Sequence, residues 1–135
     1  QGAIPLGVMK RHDPDFQGMG ANGGAIRPSS GYAFSFIQKQ IKTALRNVSD
    51  GHMLQFSTPH KPIDLWMDKI FLSVLRYQPR YAPKIFTALA DSLTGDEFAR
   101  FLSGEANMSL RAKVIAAMPP LPFIRALLRP DEGEP

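Results

Sequence analysis

Residues 18–32 read GMGANGGAIRPSSGY: a glycine-rich segment, then Arg27-Pro28, then two serines, Gly31 and Tyr32. The residues that follow have the apolar spacing of a helix. The first amides of a helix lack internal partners, and the helix dipole places roughly half a positive charge there. A loop ending in small hydroxyl residues before a helix therefore suits a phosphate or an enolate-like oxygen. The alternative is a surface loop whose glycines adopt positive φ and whose serines cap the helix.

The glycine pattern itself is a weak cofactor signal. Residues 18–23 have the form G-x-G-x-x-G. Arg27-Pro28 intervenes before the helix, however, so neither the dinucleotide fingerprint nor the P-loop is matched.

Composition indicates a single folded domain of 135 residues, 44% of them hydrophobic. The absence of cysteine excludes disulfides, thiolate metal sites and a cysteine nucleophile. The net charge of +4 is scattered, which argues against specific nucleic-acid binding. No apolar run approaches the roughly 20 residues of a bilayer span. We expect a cytoplasmic protein, either free or peripheral to a membrane, cut from a longer polypeptide because it begins with Gln1.

Apolar spacing predicts about six helices. The first runs from Phe34 to Val48 and ends at Asp50-Gly51, and its apolar positions are Phe34, Ile37, Ile41, Leu45 and Val48. The second begins at Pro62 and is closed by Pro79. The third has Pro83 in its first turn and a buried stripe of Ile85, Phe86, Leu89 and Leu93.

The last three helices are shorter. Residues 94–97, TGDE, predict a capping box that starts the fourth, and Gly104 ends it. The fifth carries Leu110, Val114, Ile115 and Met118. Residues 119–122, PPLP, should break the chain before a final helix with Phe123, Ile124, Leu127 and Leu128.

Residues 2–8, GAIPLGV, alternate as a short strand does. One or two strands cannot form a sheet alone, because their backbone groups need partners. We therefore expect a mainly α fragment attached to the sheet of an α/β domain that lies upstream. Residues 1–50 should hold the strand, the loop and the first helix, and residues 51–135 should form a helical body.

A family resemblance is carried by residues 23–34, GGAIRPSSGYAF, followed by Ile37-Gln38. This segment resembles the C-terminal flavin motif of the lycopene cyclase family, Arg/His-Pro-Ser/Thr-Thr/Ser-Gly-Tyr before a helix. Residues 2–6 resemble that family's Gly-x-Ile-Pro strand. Residues 67–75, 98–104 and 118–123 are similar to helical segments of its bacterial members.

The resemblance implies the C-terminal part of an FAD-binding, Rossmann-like enzyme whose glycine fingerprint lies upstream. Six residues would close over the flavin: Arg27, Pro28, Ser29, Ser30, Gly31 and Tyr32. Pro28 would stiffen the turn, Gly31 would let the backbone approach the ring, and a helix from Gly31 would aim its amides at the pyrimidine end. Arg27 would pair with negative charge or with a nearby carboxylate. Tyr32 would pack against the ring, against the substrate or in the core.

The reaction so implied is a proton-triggered ring closure of a linear polyene end group, an intramolecular lyase or isomerase step of carotenoid biosynthesis. Reduced FAD, with NAD(P)H as reductant, would stabilise cationic charge. The catalytic acid is expected upstream, so no catalytic residue is assigned and the fragment alone should be inactive. The alternatives are a flavin-dependent isoprenoid reductase or oxidoreductase, which would consume nicotinamide in step with product, and a non-catalytic helical interaction module.

Other chemistry-bearing residues have simpler interpretations. Asp64 and Asp68 are four apart on a helix; they could pair as a metal or acid–base site, but we expect a solvated face near basic side chains. His12, His52 and His60 lack metal-ligand spacing, and the last two should be solvated in a linker. Five aromatic residues fit either a core or a channel for a long apolar substrate: Trp66, Phe71, Phe86, Phe98 and Phe101. Residues 121–129, LPFIRALLR, either pack on the body or dock on a membrane surface.

Overall fold

A computed structural model describes residues 18–128, which form six α-helices, a short 3₁₀ helix and no strand. The helices are α1 (Phe34–Ser49), α2 (Pro62–Tyr77), the 3₁₀ turn Pro79–Tyr81, α3 (Ala82–Ser92), α4 (Gly95–Leu102), α5 (Met108–Ala117) and α6 (Pro120–Leu127). The prediction of a mainly helical chain is confirmed. The predicted strand at residues 2–8 and His12 lie outside the described residues.

The chain divides into two compact units. The first comprises Gln1–Leu65 and Leu102–Gly104, and the second comprises Trp66–Phe101 and Glu105–Pro135.

In the first unit, α1 buries a different face from the predicted one. Its buried side chains are Phe36, Gln40 and Ala44, each one helical turn after the last. The predicted stripe includes side chains that are largely exposed, with Phe34 at 68% and Leu45 at 60%. The helix thus packs through a mixed face, because the glycine loop needs a polar partner. Its aliphatic stripe is exposed at Phe34, Leu45 and Val48 and half-buried at Ile37 and Ile41.

The second unit holds the continuous apolar core. Its buried members come from α2, α3, α5 and the segments between them: Phe71, Val74, Ile85, Leu89, Leu93, Ala106, Leu110 and Val114. Each large aliphatic side chain buried there contributes roughly 1.5–3 kcal/mol to folding. Phe86, predicted for the buried stripe of α3, is instead 53% exposed. Helix α3 buries Ile85 and Leu89, which lie one turn apart, and leaves the neighbouring Phe86 outside.

Helix starts follow local chemistry. The predicted capping box is confirmed, since the Thr94 amide donates to Glu97 Oε2 (2.9 Å) and the Glu97 amide donates to Thr94 Oγ1 (3.3 Å). Asn107 caps α5 by accepting from the Leu110 amide at 2.8 Å, which the sequence analysis missed. The predicted break between the last two helices is confirmed but is shorter than residues 119–122, because α5 ends at Ala117 and α6 already begins at Pro120. Proline fits the first turn, where its missing N–H would have no helical partner.

No helix among residues 18–128 combines the length and the apolar character needed to cross a bilayer.

Candidate functional site

The motif at residues 27–32 is a closed backbone turn in the first unit. The Arg27 carbonyl accepts from the amides of Ser30 (3.3 Å) and Gly31 (2.8 Å). The Arg27 amide donates to the Tyr32 carbonyl at 2.9 Å. Ser30 Oγ also accepts from the Tyr32 amide at 3.3 Å. Both ends of the turn are therefore tied together, and the residues between them form a projecting loop.

The residues of the turn differ in burial. Arg27 is 1% exposed, so its guanidinium faces protein atoms. A buried charge is tolerated only when protein groups compensate it. Ser30 and Gly31 are exposed, and Pro28, Ser29 and Tyr32 are half-buried.

Gly31 sits at the crest of this turn with φ of +70°. A Cβ built at this position would meet no heavy atom of residues 18–128 within 4 Å. The left-handed conformation disfavours any residue with a side chain. The open space beside Gly31 is large enough for another group to approach its backbone directly.

Helix α1 begins at Phe34, where the apolar spacing predicts it. Its N-cap is Ala33, and no side chain among the described residues caps it, so the alternative that the serines cap the helix and the earlier start at Gly31 that the family resemblance implies are both wrong. The closed turn prevents an earlier start, because Gly31 has a left-handed φ and both the amide and the carbonyl of Tyr32 are hydrogen-bonded within the turn. Ser30 stabilises the turn instead of the helix.

Gln40 fastens the glycine segment to α1. Its side chain is 2% exposed. Gln40 Oε1 accepts from the Gly20 amide at 2.9 Å, and Nε2 donates to the carbonyls of Gly23 and Ser57, both at 3.0 Å. The Gln40 side-chain amide thus links the glycine segment and the loop at Ser57 to helix α1. Sequence reasoning missed this residue, whose one signal is that it follows Phe36 by four positions on the helix.

An aromatic cluster lies one turn into α1. Phe36 is 2% exposed, with Tyr32 edge-on at 6.2 Å between ring centroids and His60 tilted at 4.2 Å. Gly104 closes the cluster, because a Cβ there would lie 2.7 Å from Phe36 Cε1. Lys39 Nζ lies 5.5 Å from the Phe36 ring centroid and donates to the Ser103 carbonyl at 3.0 Å. Tyr32 of the motif is thereby packed against the interior of the first unit.

Three polar residues predicted to be solvated are buried instead. His60 is 8% exposed, and Asp64 and Asp68 are 3% exposed each. His52, by contrast, is exposed as predicted. The error arises because spacing on one helix cannot report burial by another segment: His60 is covered by the Phe36 ring. Among residues 18–128 no group of three His, Asp or Glu side chains could hold a metal ion.

Comparison with known proteins gives one match. The model of the family described as "Lycopene cyclase protein" matches residues 1–128, which include the whole site. No curated protein and no solved structure matches the chain.

Proposed function

Because the chain belongs to the lycopene cyclase family, we propose that it is part of an FAD-dependent enzyme that closes the end groups of linear polyenes. The family indicates a carotenoid cyclase-like function in carotenoid biosynthesis. The finer proposal is a redox-neutral, proton-triggered cyclisation, the chemistry of an intramolecular lyase. The acid that starts it is proposed to lie upstream of this chain.

One observation supports the proposed cofactor site: among the described residues, an exposed glycine backbone has open space beside it, in a turn whose Arg27 is buried. Such a turn suits close approach by a flat ring, since no side chain at Gly31 stands in the way. Pro28, Ser29, Ser30 and Gly31 would form the contact surface. Arg27 would hold the turn in shape, and Tyr32 would join it to the Phe36 cluster.

We expect these residues to move little during the reaction. Reduced FAD, when bound there, would supply negative charge that stabilises the cationic centre of a cyclising polyene. The serine and glycine backbone of the turn would orient the ring, and the four hydrogen bonds within the turn would keep the surface rigid. Preorganised groups cost no rearrangement at the moment of reaction, which is the advantage of a closed turn over an open loop.

The apolar stripe of α1 supports the proposal that another domain completes the flavin site. Along one face it carries Phe34, Ile37, Ile41, Leu45 and Val48, of which Phe34, Leu45 and Val48 are 68%, 60% and 47% exposed. A contiguous apolar face on a helix beside a cofactor turn is the kind of surface on which another domain packs. We infer that the FAD-binding domain of the enzyme packs on this stripe and completes the flavin groove.

Two glycines provide a matched test of the flavin site. Gly31 and Gly51 both have left-handed φ, +70° and +81°, and a Cβ at either meets no heavy atom within 4 Å. Gly31→Val and Gly51→Val therefore impose similar backbone strain, but Gly51 lies at the far end of α1. In the full-length protein, Gly31→Val should lose flavin on purification and Gly51→Val should retain it, as measured by visible absorption per chain.

Activity supplies the second readout of that experiment. The flavin-bearing protein, given an acyclic polyene and reduced nicotinamide, should form a product of unchanged mass without consuming nicotinamide in step. Consumption of one nicotinamide for each product would reject the cyclase in favour of a reductase. Equal flavin content in the two valine variants would reject the site at Arg27–Tyr32.

A further inference from the structure

The glycine segment, residues 18–24, contains a chemically labile dipeptide, Asn22-Gly23. The chain has three asparagines, Asn22, Asn47 and Asn107, and Asn22 alone precedes a glycine. Asn22 is exposed, so water reaches its side-chain amide. Glycine has no side chain to keep its backbone nitrogen away from the preceding carboxamide, and its permissive backbone lets the two approach. A reactive pair therefore lies just before the motif at residues 27–32.

The reaction of this pair needs no partner other than water. The Gly23 nitrogen attacks Cγ of Asn22 and gives up its proton, the bond from Cγ to Nδ2 breaks, and ammonia leaves a succinimide ring. Water then adds to a ring carbonyl and breaks its bond to the Gly23 nitrogen. Opening at Cγ gives aspartate. Opening at the backbone carbonyl gives isoaspartate, in which the main chain runs through the former side chain and the former backbone carbonyl becomes a carboxylate.

The folded segment holds the attacking nitrogen in a closed turn. The Gly23 amide donates to the Gly20 carbonyl at 3.1 Å. Gln40 clamps the same turn from α1, because it accepts from the Gly20 amide at 2.9 Å and donates to the Gly23 carbonyl at 3.0 Å. These bonds keep the Gly23 nitrogen from rotating towards Cγ of Asn22. The turn must therefore open locally before the ring can form.

The isoaspartyl product does not fit the closed turn. A Cβ added at Gly18 would lie 2.6 Å from the Asn22 carbonyl oxygen. One added at Gly23 would overlap the Gly18 carbonyl oxygen and lie 2.9 Å from Gln40 Nε2. Backbone hydrogen bonds also span the link between residues 22 and 23, from the amides of Gly23, Gly24 and Ala25 to the carbonyls of Gly20, Ala21 and Gly20, at 3.1, 3.1 and 2.8 Å. An extra main-chain carbon in this link breaks these bonds or the contacts with Gln40.

We propose that Asn22-Gly23 is a site of spontaneous deamidation, and that isoaspartate formed there releases the glycine segment from Gln40. The Gln40 clamp slows the reaction in the folded protein, and the product cannot restore the clamp. The modification thus limits the lifetime of the intact first unit. The proposal does not depend on flavin binding, so the two can fail separately.

The first measurement compares the asparagines of one protein. The full-length protein is incubated in mildly alkaline buffer, and each asparagine is followed by peptide mass spectrometry. Asn22 should react faster than Asn47 and Asn107, which precede valine and methionine. In concentrated urea, where the turn is open, Asn22 should react at least about tenfold faster than in buffer.

The second measurement tests the Gln40 clamp. Gln40→Met should raise the rate of deamidation at least about tenfold, because the Gly20 amide loses the acceptor that keeps the turn closed. Gln38→Met, at an exposed position of the same helix, should leave the rate unchanged. Gly104→Ala controls for a general loss of stability, since its new Cβ would crowd the Phe36 ring and the three Gln40 bonds do not involve Gly104. It should not accelerate the reaction.

The third measurement examines the product. The isoaspartyl form, detected by labelling with protein isoaspartyl methyltransferase, carries the same added charge as the Asn22→Asp variant, but it alone has the longer main chain. Its melting temperature should fall by at least about 4 °C, because the bonds of the turn are lost. Asn22→Asp should melt close to the unchanged protein, since Asn22 is exposed.

Each measurement can overturn the proposal. Deamidation at Asn22 that is no faster than at Asn47 and Asn107 would reject the site. Equal rates in Gln40→Met and Gln38→Met, or an equal acceleration by Gly104→Ala, would reject the role of the clamp. An isoaspartyl form that melts with the Asn22→Asp variant would show that the closed turn accommodates the longer main chain.

Discussion

Replacing Gln40 with methionine should destabilise the protein by about 2–4 kcal/mol. Methionine has a similar length and helix propensity, so the change removes hydrogen bonds with little loss of volume. The Gly20 amide, held at 2.9 Å in a buried position, loses its acceptor. The carbonyls of Gly23 and Ser57 each lose a donor at 3.0 Å.

The three bonds do not contribute equally. A buried amide left without a partner costs about 1–3 kcal/mol, and a partly buried carbonyl costs less because water reaches it. Ser57 is exposed, so its carbonyl can be hydrated when the glutamine is removed. The Gly20 amide therefore dominates the loss, and the Gly23 carbonyl adds most of the rest.

Urea unfolding followed by far-ultraviolet circular dichroism measures this loss. Gln38→Met is the matched control, since Gln38 lies on the same helix but is exposed. Gln40→Met should shift the transition midpoint clearly downwards and Gln38→Met should hardly move it. Equal free energies of unfolding for the two variants, within about 0.5 kcal/mol, would refute the role assigned to Gln40.

Two further predictions concern single contacts. Gly104→Ala should cost about 2–4 kcal/mol in urea unfolding, because φ is +73° and the new Cβ would lie 2.7 Å from the Phe36 ring; a loss below about 0.5 kcal/mol would contradict this close packing. The hydrogen bond from Lys113, with that from the Thr94 amide, lowers the pKa of Glu97 below 4.5. The ionised Glu97 carboxylate stabilises the fold fully above that pH, and this stabilisation is lost as the pH falls through the lowered pKa. Glu97→Gln should therefore flatten the acid limb of a curve of Tm against pH. An unchanged acid limb would contradict this.

Local sequence signals predicted the helix boundaries well. The capping box at Thr94 and Glu97, the start of α2 at Pro62 and the end of α1 before Gly51 were all read from neighbouring residues. Each of these depends on hydrogen bonds or φ values within one turn, so the sequence contains the whole cause.

Faces and burial were predicted less well. The spacing of Phe34, Ile37 and Ile41 shows that they share a side of α1, but it cannot show which side packs inwards. Gln40 is buried by residues 17 and 20 positions away in sequence. No periodicity within the helix reports such contacts, and the burial of His60 and Asp64 was missed for the same reason.

The motif at residues 27–32 was predicted only in part. Its family resemblance was visible in the sequence, and the family match covers it. The start of α1 at Phe34 was also visible, but the conformation of the turn before it was not, because the family resemblance implied a helix from Gly31. The bonds that close the turn between Arg27 and Tyr32 explain the difference.

The most direct test of the flavin site is the flavin retained per chain by Gly31→Val divided by that retained by Gly51→Val, both in the full-length protein. Strain of the same kind at both glycines cancels in this ratio. We predict a ratio well below one, with similar melting temperatures for the two variants. A ratio of one, with flavin bound by both, would contradict the placement of the cofactor at Gly31.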